Sequence, residues 1–225
     1  MKRAAFLFSG QLRGFEHCIE PFKSYLFSAF TEYDTFFYLP TVDGKKLYNV
    51  WEPTAALLEI DQVHNDISNF QHNICQSEKR SLENNYTPKA HLQHFYLQWY
   101  GVKKVFEVFD SFRKVNNLEY DIVFRIRPDI KFFESFIYNP FEGIQTSNKP
   151  SSGGIYDRLA YGSYDNMKYY CSFYDSLYKG KYNEFKYSGN SESKLLQHIT
   201  EGNINWRTQN LNFYHSVNVD GACWI

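Results

Sequence analysis

Residues Ala4 to Ser9 form a short, continuous apolar run, AAFLFS, that halts in the polar turn SGQLRG before an amphipathic stretch from Phe15 to Phe30. A run this short and apolar on both faces is expected of a strand covered on both sides. Strand, glycine-containing turn and helix together open an α/β unit. The chain is thereby constrained to layers: a sheet with helices packed on it. YDTFFYLP (Tyr33 to Pro40) reads as a second strand ended by proline. From His91 to Val115, Leu92, Phe95, Tyr96, Trp99, Val102, Val105, Phe106, Phe109 and Phe112 fall at helical spacing, which predicts the longest helix. It leads directly into DIVFRIRPDIK (121–131), where Ile122, Phe124 and Ile126 alternate with Val123, Arg125 and Arg127. That period of two is strand spacing, so an αβ step is expected here.

The remaining pattern is looser. Residues 41–90 read as a loop-rich excursion over the sheet, a lid, with a short helix around Ala55 to Ile60. SNKPSSGG (147–154) is turn-rich, IYDRLAYGS a strand, YDNMKYYCSFYDSLY a helix, and SESKLLQHI a short helix. INWRTQNLNFYHSVNVDG reads as one last extended segment. The expected fold is α/β: a single domain over 1–225 with a mostly parallel central sheet flanked by helices.

Bulk properties exclude some partners. The 24 basic and 25 acidic side chains nearly cancel, so no nucleic acid or other polyanion is implied. The 19 Tyr and 21 Phe suit either a packed core or surfaces that stack on sugars or bases. Cys18, Cys75, Cys171 and Cys223 stand apart, without CxxC or metal-finger spacing, which fits a reduced intracellular compartment. The N-terminus stays apolar only from Ala4 to Phe8. No apolar run approaches the ~18 residues needed to span a bilayer.

Open α/β sheets bind ligands at the carboxyl ends of their strands. Two polar turns fall there: Ser9-Gly10-Gln11 with Arg13, and Arg127-Pro128-Asp129. Glycine lets backbone approach a phosphate, and arginine adds a bidentate fork. Aspartate beside a phosphate calls for a hard cation between them. The alternative is structural, with Arg125, Arg127 and Asp129 forming an ion network at a sheet edge.

LFSGQLRGFEHC, YDTFFYLP, YDIVFRIRPDIKF, DRLAYGSYDNMKYY and ESKLLQHI together resemble a family of small GT-A-type glycosyltransferases from glycan gene sets of bacteria and large viruses. The resemblance covers Ala5 to about Asn218, and its most specific pieces are the SGQ-R turn and R-x-R-P-D. It implies transfer of a sugar from a nucleotide-diphosphate donor to a hydroxyl of a glycan or other acceptor, in the cytoplasm of a bacterium or of a virus-infected host cell. GT-A enzymes bind the donor diphosphate through Mn²⁺ or Mg²⁺ on a D-x-D segment. Arg127 stands here in place of the first acidic residue, which leaves Asp129 as a metal ligand, with His215 matching a late histidine ligand. By the same resemblance Ser9, Gly10, Gln11, Arg13, Gln98, Arg125 and Arg127 would bind the donor. Glu192, at a helix start, and Asp157, in the pair Asp157-Arg158, are the candidate catalytic bases, since a carboxylate must accept the acceptor's proton. Each has a plain alternative: Glu192 as a partner of the helix dipole, Asp157 as a partner of Arg125, and Gln98 and Lys103 as solvent-facing positions.

Two other classes fit parts of the pattern. A sulfotransferase using a sulfonucleotide would want the early Gly/Arg turn without an aspartate beside the phosphates. A non-catalytic glycan-binding module would use the Tyr and Phe surface and leave the strand arginines unexplained. A Rossmann dehydrogenase is disfavoured because SGQLRG lacks G-x-G-x-x-G spacing.

Overall fold

A computed structural model describes residues 2–59, 89–149, 151, 153–182, 191–214, 216–217 and 223–224. Its strands are β1 (Arg3–Ser9), β2 (Glu32–Pro40), β3 (Ala55–Glu59), β4 (Ile122–Ile126), β5 (Lys131–Phe132), β6 (Ile144–Ser147), β7 (Leu159–Gly162), β8 (Trp206–Gln209), β9 (Phe213–Tyr214) and the antiparallel pair β10 (Ser216–Val217) and β11 (Cys223–Trp224). Seven of them form the central sheet in the order β3-β2-β1-β4-β7-β6-β8. β3, β2, β1 and β4 pair in parallel, and β8 is parallel to β6. Only β7 is reversed, antiparallel to both β4 and β6. The α/β class and the mostly parallel sheet expected from the sequence are therefore present.

Alternation along the strands sorts the core into two layers. Phe6, Phe8, Phe37, Ile122, Phe124 and Ile126 face Phe15, Phe22, Phe27 and Phe30 of the segment after β1. Rings in register stack across strands: Phe6 on Phe124 at 4.9 Å and Phe124 on Tyr161 at 4.8 Å. Part of the Phe content is thus cross-strand packing, the unit that stabilises a sheet, and more of it joins the sheet to the segment after β1. On the other face, Ala5, Leu7, Phe36, Val123 and Ala160 lie under Trp99, Val102, Val105 and Phe109 of the long helix Lys89–Val115. Met167, Tyr170 and Phe173 complete that layer, with Leu195 and Ile199 of the helix Ser191–Glu201.

Several expectations are corrected. Ala55–Glu59 is not helical: it is the edge strand β3, in parallel register with Phe36–Pro40. Five residues are too few for periodicity to separate a strand from a buried helical turn, and pairing with β2 decides it. Thr41–Val50 is a ten-residue helix, so the stretch after β2 starts with regular structure rather than loop. The rest of the proposed lid, 60–88, lies outside the described residues. Phe15 to Phe30 is not one helix but short 3-10, α and π turns, in which Phe15, Cys18, Ile19, Phe22, Leu26 and Phe27 are buried. Pro21 removes a helical donor in its middle, so core packing outweighs regular hydrogen bonding there. The predicted helix 164–178 divides at Ser172, whose hydroxyl bonds the Tyr169 carbonyl 2.7 Å away and competes with the helical ladder. The final extended segment is several short strands: β8 joins the main sheet, while β9 pairs with β5.

Candidate functional site at the sheet switch point

The strand order reverses between β1 and β4, with successive strands placed outward from β1 on one side and beyond β4 on the other. At such a point the loops leaving adjacent carboxyl ends diverge and open a crevice, where open α/β sheets bind their ligands. Both polar turns flank it. Gly10 has φ 129°, and a Cβ placed on it would lie 3.6 Å from Pro128 Cδ, so the two turns touch. Side chains rarely adopt that backbone conformation, which accounts for glycine at this position. Ser9 is buried, and its hydroxyl has no hydrogen-bond partner among the described residues. Gly101 lets the long helix pass close by: an added Cβ would lie 3.1 Å from the Tyr38 ring and 3.5 Å from Ser9 Cβ. Gln11 and Arg13 are exposed, and Arg13 Nε donates to Gln11 Oε1.

The second turn carries a two-point ion pair. Arg127 Nε donates to Asp129 Oδ1 at 2.9 Å, and its Nη2 donates to Oδ2. The Asp129 side chain is 3% exposed and that of Arg127 27%. Burial works against the Arg127 charge, but the adjacent Asp129 carboxylate outweighs it and raises the guanidinium pKa above its ordinary value. The Arg127 backbone N–H donates to the Arg158 carbonyl at 3.0 Å, tying this turn to the approach to β7.

That approach holds the third part of the site. Because β7 is reversed, its first residues lie at the carboxyl end of β4, which brings Asp157 there. Gln98 Nε2 and Ser191 Oγ both donate to Asp157 Oδ2 at 2.9 Å, and Trp99 Nε1 donates to Ser191 Oγ at 3.0 Å. Arg125, fully buried opposite Ala160, donates from Nη1 to the Asp157 carbonyl. Its Nε and Nη2 have no hydrogen-bond partner among the described residues. Burial pushes the Arg125 pKa below its ordinary value, against the opposing charge of Asp157. Gly154 sits against the start of the helix Ser191–Glu201, where Ile155 N–H donates to the Glu192 carbonyl at 3.1 Å.

The sequence-predicted residues therefore divide. Ser9, Gly10, Arg127 and Asp129 gather at the switch point, while Gln98, Arg125 and Asp157 share one network. Gln98 contacts Asp157, a role different from the donor contact expected of it. Glu192 is half-buried beside Ser191 in the first turn of its helix. Lys103 points elsewhere, to Asp175 at 2.6 Å. His215 lies outside the described residues. Ser191 and Trp99 were not expected in a site: a serine beside a helix start and a tryptophan on a helix's apolar face both read as structure.

The described residues do not fit the Mn²⁺ or Mg²⁺ centre that the resemblance implies. Both Asp129 oxygens accept from Arg127 behind a nearly inaccessible surface. No group of three His, Cys, Asp or Glu suited to a metal occurs among the described residues. Nor is any described helix long and apolar enough to cross a membrane. No protein-family model matches the chain, and no curated protein matches it in sequence.

Proposed function

We propose that the protein is a glycosyltransferase that moves a sugar from a nucleoside-diphosphate donor to a hydroxyl of a glycan or other acceptor. The observation that carries this reading is the convergence, at the switch point, of a glycine turn, a guanidinium and an aimed carboxylate. Asp157 and Arg127 lie near enough for the carboxylate to stabilise the guanidinium charge. In the reaction the acceptor oxygen attacks the anomeric carbon as the bond from that carbon to the diphosphate oxygen breaks. The diphosphate leaves with the electron pair, against Arg127. The acceptor proton passes to Asp157, whose Oδ2 is fixed by Gln98 and Ser191, leaving Oδ1 to receive it. Glu192, half-buried in the first turn of the helix Ser191–Glu201, is the second candidate carboxylate. Buried cysteines without a disulfide at Cys18 and Cys171 suit the cytoplasmic location that goes with this reading.

A thermal-shift panel of nucleoside 5′-diphosphates, nucleosides and nucleoside 3′,5′-bisphosphates tests it, since a ligand of the native state raises the melting temperature. One 5′-diphosphate should stabilise the protein, its sugar conjugate should turn over, and Asp157→Asn should retain binding while losing turnover. A second reading, sulfotransfer, gains from the Arg127–Asp129 pair, because an aspartate so neutralised no longer repels a sulfonucleotide. Stabilisation by the 3′,5′-bisphosphate alone would select it. If no nucleotide shifts the transition, both transferase readings fall.

A further inference from the structure

We infer that Arg127, held by Asp129, takes the place of the divalent cation: the donor diphosphate meets a guanidinium, and binding needs no metal. This inference rests on the donor-site reading above and deepens it. An aspartate at a diphosphate site requires a positive charge between carboxylate and phosphate. Here that charge is covalently part of the chain. A cation at Asp129 would compete with Arg127 for oxygens that both already accept from its guanidinium, and would have to reach a side chain that is only 3% exposed.

Arg127, by contrast, is arranged to bridge. Its Nε and Nη2 edge is committed to Asp129, whereas Nη1 makes no hydrogen bond among the described residues and the side chain is 27% exposed. A guanidinium gripped along one edge is oriented in advance, so it loses little rotamer freedom when a phosphate binds the other. Pro128 reinforces the aim, since its ring restricts the backbone of Arg127 as well as its own. Arg13, Arg127 and Arg158 lie on the segments around the crevice, against Asp129, Asp157 and Glu192, so the charges there balance and Arg127 meets the ligand already paired with Asp129.

The experiment is calorimetric titration of chelator-treated protein with nucleoside 5′-diphosphates, repeated with Mn²⁺ present. Binding should appear in chelator and change by no more than about threefold with Mn²⁺. Arg127→Gln should weaken diphosphate binding by about 10- to 100-fold, the loss of one charge-assisted hydrogen bond, and leave nucleoside binding unchanged. Arg127→Lys, which keeps the charge and loses the fork, should fall between, and it serves should the glutamine variant fail to fold. Asp129→Asn should keep metal-free binding, whereas a metal-ligand role predicts that this variant loses an Mn²⁺-dependent binding that the parent protein shows. Binding seen only with Mn²⁺ overturns the inference and leaves the transferase reading standing. Absence of binding under both conditions overturns the two together.

Discussion

The Arg127–Asp129 pair yields a stability prediction that is independent of any ligand. Asp129→Asn removes the charge with little change of shape, and Arg127→Met removes the guanidinium while keeping an unbranched apolar stem. The two losses should differ, because the partners differ in exposure: 3% for the Asp129 side chain and 27% for Arg127. After Asp129→Asn the guanidinium can turn toward water. After Arg127→Met an almost wholly buried carboxylate loses the guanidinium that donates to both of its oxygens. Exposed pairs contribute about 0.2–1 kcal/mol, and breaking a buried one costs about 3–5 kcal/mol. The expected losses are thus about 1.5–2.5 kcal/mol for Asp129→Asn and about 3 kcal/mol for Arg127→Met, between and near the upper of those limits. The double variant should cost less than the sum by about 1–2 kcal/mol, since both singles break the same contact. Urea unfolding of the ligand-free, chelator-treated protein, followed by circular dichroism, measures all four corners of the cycle. Additivity within about 0.3 kcal/mol would refute the coupling. A loss below about 0.5 kcal/mol for Asp129→Asn would mean that the carboxylate is not a structural partner and remains available to a cation.

Three further outcomes follow from contacts elsewhere. Gly154→Ala places a Cβ 2.0 Å from the Glu192 carbonyl oxygen and 2.4 Å from Ser193 N, both backbone, so a loss of about 3 kcal/mol or more is expected in thermal unfolding. Gln98→Leu and Ser191→Ala each delete one bond to Asp157 Oδ2 and should each cost about 1–2 kcal/mol; under the proposed reaction they lower kcat more than they raise KM. His198 is buried, with Nε2–H donating to the Tyr169 carbonyl at 3.0 Å and Nδ1 accepting from Tyr182 at 2.8 Å, and desolvation pulls its pKa from 6.5 to about 4. Between those values the unfolded chain binds a proton that the folded chain refuses, so stability should fall by about 3 kcal/mol as pH drops from 6.5 towards 4; a His198→Gln variant should lack that slope in pH-dependent urea unfolding.

What was legible in the chain follows from how local the cause is. β1 and β4 were visible because continuous apolar runs and strict alternation are properties of a few adjacent residues. The long helix was visible because nine apolar side chains repeat at its period. The two polar turns could be placed because the strands before them fix where they emerge. The rest is tertiary. Gln98 and Asp157 are 59 residues apart, and Trp99 and Ser191 are 92 apart, so no spacing rule joins them. That Asp129 is taken by Arg127 stood in the sequence only as one of two readings, an ion network or a metal ligand. R-x-D spacing admits both a metal ligand with an arginine nearby and a closed ion pair, and burial of the carboxylate decides between them. The helix expected over Ala55 to Ile60 failed for a related reason, since only the edge of β2 makes that segment a strand.

The site also depends on a register that the opposite face of the sheet maintains. Arg125 pairs with Ala160, whereas the next positions along, Phe124 and Tyr161, stack at 4.8 Å on the other face. Because side chains alternate, a slip of one residue between β4 and β7 would change which face of β7 lies beside each β4 position. Phe124 would lose the ring it stacks on, and the guanidinium of Arg125 would meet a larger side chain in place of the Ala160 methyl. The same antiparallel pairing returns Asp157 to the end of the sheet that holds Arg127. A parallel β7 would carry its first residues to the far end, displaced by the length of a four-residue strand, about 13 Å at the usual rise. The aromatic ladder of Phe6, Phe124 and Tyr161 therefore acts on the chemistry through geometry alone. It holds the reversed strand of the central sheet in the register that brings the Asp157 carboxylate beside the guanidinium of Arg127 at β4's carboxyl end.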